Sequence, residues 1–125
     1  MSRAARSLFV FGIYVVLMGV GFLAAPELLT AMLKLPPATA GWARVVGLLA
    51  LVIGSYDIVG ARAESLAYMR ASVFIRIGFA TGTALLVAFG QMPVTLLLLG
   101  ATDIAGALWT ALALRPGAAA VPAAA

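Results

Sequence analysis

Four apolar runs, near residues 8–25, 45–61, 71–90 and 94–114, occupy most of this chain and are separated by short segments that carry most of its arginines. Each is about 17–21 residues long, close to the ~20 residues a helix needs to cross ~30 Å of hydrocarbon. A barrel would require alternating strands and polar turns, and that pattern is missing. The expected fold is therefore all-α, an integral-membrane four-helix bundle. Composition agrees: 65% of the residues are hydrophobic and 10% charged, against roughly half and a quarter in soluble domains. A chain of 125 residues makes one domain, here 1–115, and is too small to bury that much apolar surface against itself.

The first run starts after Arg3 and Arg6 and ends in Leu23-Ala24-Ala25, superficially a signal-peptide pattern. Its apolar stretch exceeds the ~7–15 residues of such leaders, and Pro26 would follow the cut, so an uncleaved helix is expected. Arg3, Arg6, Arg62, Arg70 and Arg115 fall on one side of a four-span arrangement, Lys34 and Arg44 on the other. The positive-inside rule then puts both termini in the cytoplasm. Between the first two spans, Pro26 and Glu27 can open a helix and Pro36-Pro37 must stop one. Leu28, Leu29, Met32, Leu33 and Leu35 give it an apolar side, so a short interfacial half-helix is expected there. Its expected role is to link the two spans; a lid over a cavity is the alternative. Residues 116–125, rich in Ala and Pro, read as a disordered tail.

The chain has no Cys and no His. That excludes thiolate and iron–sulfur sites and removes the usual haem ligand, so neither cofactor nor metal is expected. The +4 formal charge sits between apolar runs, where it reads as topology and not as a nucleic-acid surface.

Asp57, Arg76 and Asp103 lie inside the runs, and Arg44 stands at the start of the second. An Asp or Arg near a helix centre costs ~2.5–3.5 kcal/mol on insertion scales, so each is expected to face the bundle and find a partner. Measured from Arg62 and Arg70, both Asp57 and Arg76 lie ~7–9 Å inside the boundary. A buried Asp57–Arg76 ion pair is the contact this spacing predicts, with Arg76 long enough to bridge to Asp103. Tyr14 and Tyr56 fall near the same level and complete an expected polar cluster. Gly54 and Gly60 flank Asp57, Gly100 and Gly106 flank Asp103, and Ser72, Ala80 and Thr83 share the Arg76 face, all suited to an internal seam. Gly78 and Gly82 form a GxxxG pair. Near the outer boundary Arg44 follows Trp42 and stands level with Glu27, which predicts an anchoring pair at the interface.

The strings Gly41-Trp42-Ala43-Arg44-Val45-Val46-Gly47 and Gly54-Ser55-Tyr56-Asp57, with Pro26-Glu27-Leu28-Leu29, Arg76 and Asp103 to Trp109-Thr110, resemble a family of small bacterial membrane proteins. The resemblance implies four helices and a bacterial inner-membrane setting, and it carries no activity. The cluster has a structural reading, buried charges that set helix register, and a ligand-binding or transport reading; no nucleophile-and-base pair points to catalysis. The expected function is an accessory or structural membrane protein that binds a lipid or a partner helix. An oligomeric, proton-coupled transporter and a carrier or enzyme for an apolar small molecule are the alternatives. Expected partners are membrane lipids, a second copy of the chain or another membrane subunit.

Overall fold

The computed structural model describes residues 1–116; all of the predicted Ala/Pro tail after Pro116 lies outside the described residues. Five α-helices and one 3-10 turn account for the fold, with no strand among the described residues. They are α1 (Arg3–Ala24), α2 (Pro26–Met32), α3 (Ala40–Arg62), α4 (Leu66–Ala88) and α5 (Leu97–Ala113), with the turn Val94–Leu96 leading into α5. Four segments, α1, α3, α4 and Val94–Ala113, are long and apolar enough to cross a membrane.

Three of these helices begin about five residues before the expected apolar runs, because caps and not hydropathy decide where a helix starts. Ser2, Thr39 and Ser65 each turn a side-chain oxygen onto the backbone N–H three residues on, at 3.0, 3.4 and 3.3 Å. Each satisfies a donor that the first turn leaves orphaned. Helix α2 is the expected short helix between the first two long ones, with Pro26 at its first position. It stops through a Schellman turn, Leu35 N–H to Thr30 O and Lys34 N–H to Ala31 O, with Lys34 at φ 52°. The α3–α4 turn repeats that device with Glu64 at φ 51°.

In cross-section the long helices run in the order α3, α1, α5, α4. α1 packs along α3 and against α5, α5 packs along α4, and α3 meets α4 chiefly beside their connecting turn. The α1–α3 seam is built from glycine. A Cβ on Gly54 would lie 2.8 Å from the Gly12 carbonyl oxygen, and one on Gly47 2.8 Å from that of Gly19. The two crossings are seven residues apart on both helices, two turns, so one face of each stays in register with the other. Gly78 and Gly82 behave differently: nothing lies within 4 Å of a Cβ built on either, so this GxxxG pair joins no helices here. At the opposite pole from Lys34, Leu8, Ala5, Ala61 and Met69 form the buried apolar cluster. Elsewhere large apolar side chains point outward, Phe74 and Phe89 at 75% exposure and Leu17 and Val59 at 64%.

Candidate functional site: the buried Arg76 network

Arg76 leaves α4 one turn after Ser72, on the inward face, and is only 4% exposed. Its side chain folds back along its own helix. Nε donates to the Ser72 carbonyl at 3.2 Å, and Nη2 donates to the Ser72 hydroxyl at 3.1 Å and to Thr110 Oγ1 of α5 at 3.0 Å. Thr110 Oγ1 stands 2.8 Å from Ser7 Oγ of α1, so one hydroxyl pair carries the contact into a third helix. The guanidinium carbon lies 4.6 Å from the centroid of the Phe11 ring, a cation–π arrangement. Gly106 makes room for it: a Cβ there would lie 2.9 Å from Arg76 Nη1. Nη1 is buried and has no acceptor among the described residues.

Asp57, 5% exposed on α3, accepts a 3.0 Å hydrogen bond from the Tyr68 hydroxyl of α4. Gly60 lies against the Tyr68 ring and permits that approach. Among the described residues no carboxylate oxygen comes within 4.0 Å of Arg76, so the expected Asp57–Arg76 ion pair is not formed and Arg76 bridges neither carboxylate. Helix boundaries explain this. Arg70 is not the start of its helix; Leu66 is. Arg76 therefore stands ten residues into α4, ~15 Å, while Asp57 stands five from the end of α3, ~7.5 Å. The level that Asp57 faces on α4 is that of Tyr68.

The other expected members separate. Tyr56 is 62% exposed and faces away from the bundle, one residue and about 100° round the helix from Asp57. Tyr14 is half-buried, and its hydroxyl pairs with Thr102 Oγ1 at 3.1 Å, not with a carboxylate. Asp103 is half-buried one turn before Gly106, with no hydrogen bond among the described residues. At the far end Glu27 and Arg44 are both exposed and form no ion pair within 4.0 Å. Arg44 Nε instead donates to the Leu23 carbonyl at 3.2 Å, closing an orphan acceptor in the last turn of α1. The Thr95 hydroxyl donates to the Leu33 carbonyl and ties the start of α5 to the end of α2 at that pole.

Sequence reasoning missed Tyr68, Ser7 and Phe11. The signal for Tyr68 was present: Ser65 as an N-cap would have moved the start of α4 and set its level. For Ser7 and Phe11 the sequence holds none, because nothing local to α1 says which face meets α5. The assembled cluster binds charge without neutralising it by a counter-charge. A hydrogen bond to a charged group contributes ~1.5–3 kcal/mol and a desolvated cation–π contact ~2 kcal/mol, set against the several kcal/mol that burying a charge costs. Comparison of the chain with protein families, with curated proteins and with solved structures finds no match, so its chemistry has to be argued from its own residues.

Proposed function

We propose that this chain is a multi-pass protein of a bacterial inner membrane, both termini cytoplasmic, that works as an accessory helical scaffold binding lipid or a partner helix. The observation that carries this reading is where its polar groups are used. Arg76, Thr110 and Ser7 join α4, α5 and α1, and Tyr68 with Asp57 joins α4 to α3. Buried polar groups spent on holding helices together are not free to turn over a substrate. The outward apolar side chains of the long helices need a solvent of matching polarity, and lipid supplies it. Arg3, Arg70 and the α3–α4 turn lie together at one pole, consistent with one side of a membrane.

The absence of native Cys makes topology directly testable. Ala63→Cys and Ala38→Cys each introduce a unique thiol in opposite connections. In intact cells an impermeant maleimide should label only Ala38→Cys; labelling of both or of Ala63→Cys alone contradicts the orientation. Asp57→Asn should lower abundance in parallel with any loss of phenotype. A variant that accumulates normally yet abolishes a phenotype defeats the scaffold reading.

One observation favours a second reading, an oligomeric proton-coupled transporter. Among the described residues Arg76 Nη1 has no acceptor, and Asp103 stands half-buried one turn from the glycine against which Nη1 rests. Intramembrane carboxylates are the usual proton carriers in such proteins. Reconstituted vesicles that show no flux driven by a pH gradient would exclude it.

A further inference from the structure

At the pole opposite Lys34 the first turn of α1, the α3–α4 turn, the first turn of α4 and the end of α5 enclose a half-open cleft of about 550 Å³. Ser2, Arg3, Glu64 and Arg70 form its polar rim, and Met69 and Leu114 its apolar wall. We infer that this cleft seats the headgroup of a membrane phospholipid, with its phosphate between Arg3 and Arg70 and its acyl chains running inward past Phe74, one turn deeper on α4.

The inference rests on the membrane placement proposed above and names one lipid site within it. Three features of the cleft select a phosphate-bearing amphiphile. Two guanidinium groups line it, and the guanidinium fork matches the paired oxygens of a phosphate. Its volume lies within the ~300–1,000 Å³ of ordinary ligand pockets, larger than a bare anion requires. Apolar Met69 and Leu114 line it beside those charges, and Phe74, 75% exposed, lies one turn deeper than Arg70 on the same face of α4. A free phosphate would use the rim alone; a phospholipid uses both parts.

Glu64 is the one acidic residue of the rim. Its Oε1 accepts the Ser2 backbone N–H at 2.7 Å and lies 3.8 Å from the amino group of Met1. That carboxylate is therefore turned toward the N-terminal segment and largely compensated there, leaving the arginines as the charges the cleft offers. The ion pair also fixes the start of α1 against the α3–α4 turn, which holds Arg3 and Arg70 on one rim.

Native mass spectrometry of the full chain in mild detergent tests this, titrated with phosphatidylglycerol, with diacylglycerol of the same acyl chains, and with inorganic phosphate. Phosphatidylglycerol should bind in preference to diacylglycerol, and the double variant Arg3→Gln/Arg70→Gln should bind it roughly tenfold more weakly. Arg62→Gln/Arg115→Gln removes equal charge from segments adjoining the same pole, outside the cleft, and should stay within about twofold of the parent. Equal loss in both double variants, equal binding of diacylglycerol, or displacement of the lipid by low-millimolar inorganic phosphate each overturns the proposal. If the Arg3/Arg70 double variant loses its helical signal, Arg70→Gln alone should weaken binding by about threefold or more, and no change overturns it. Carbonate extraction separates the two levels. A chain that stays in the pellet without headgroup preference rejects this site alone; a chain released to the supernatant rejects the membrane placement as well.

Discussion

The two seams of the bundle solve the same problem with opposite chemistry. Between α1 and α3 glycine faces glycine at the crossing points: Gly12 meets Gly54, Gly19 meets Gly47, and the backbones approach closely. Around α4, by contrast, the contact passes through a long charged side chain, an aromatic ring and three hydroxyls. In lipid, helices gain nothing from burying apolar surface against one another, since the acyl chains are equally apolar. What remains is close packing or hydrogen bonding. The glycine seam gains many weak contacts, including Cα–H···O approaches of ~0.5–1 kcal/mol each, and tolerates no added volume. The arginine seam gains a few strong directional contacts and depends on each partner being present, with Gly106 leaving room for the guanidinium.

That contrast predicts where the molecule breaks. The largest effect belongs to the glycine seam. Gly54→Val puts a branched side chain where a Cβ alone would lie 2.8 Å from a carbonyl oxygen, and overpacking at that site should cost about 3 kcal/mol or more. Gly82→Ala, at an open position, should cost nothing and gain up to ~1 kcal/mol of helix propensity. Loss of helical signal on titration with a denaturing detergent measures both, and equal midpoints for the two variants would erase the distinction.

The arginine seam should break more gently. Arg76→Gln loses the Thr110 and Phe11 contacts and should cost about 2 kcal/mol by the same measurement. Tyr68→Phe leaves buried Asp57 without its donor and should cost about 1 kcal/mol. Arg76→Gln proving more damaging than Gly54→Val would reverse the ranking of the two seams.

The smallest effect lies outside both seams, at the tether between Glu64 and the start of α1. The hydrogen bonds from Ser2 hold the Glu64 carboxyl below its usual value of 4.5. A lowered folded value means the tether contributes stability above pH 4.5 and loses it as pH falls through the lowered value. Acidification below pH 4.5 should therefore loosen the first turn of α1 in amide exchange, and Glu64→Gln should abolish that pH dependence without unfolding the bundle.

Much of the architecture was legible because length and apolarity are properties of contiguous residues. Four spans, a short helix opened by Pro26 and halted before Pro36, and a cluster of arginines at one pole all follow from order along the chain. The site was legible only in part. That Asp57 and Arg76 turn inward could be expected from the cost of exposing charge to apolar surroundings, and both are buried. Who meets whom could not, because depth was measured from charged residues and not from caps. Moving the start of α4 from Arg70 to Leu66 carries Arg76 about a turn past the level of Asp57, and the Tyr68 side chain reaches Asp57 from the first turn of the helix. Level along the axis does not fix the partners of Tyr56 or Glu27, since rotation about the helix axis sends Tyr56 outward.

The sequence by itself determined how many long helices form, where they turn, and which pole gathers positive charge, since each depends on local composition and capping. Tertiary structure alone decided that α1 lies between α3 and α5, that the working glycine pairs are Gly12–Gly54 and Gly19–Gly47 and not Gly78–Gly82, and that Arg76 answers to hydroxyls and a ring. The physical reason is that a helix presents several chemically plausible faces, and only the fit of a neighbouring backbone selects among them.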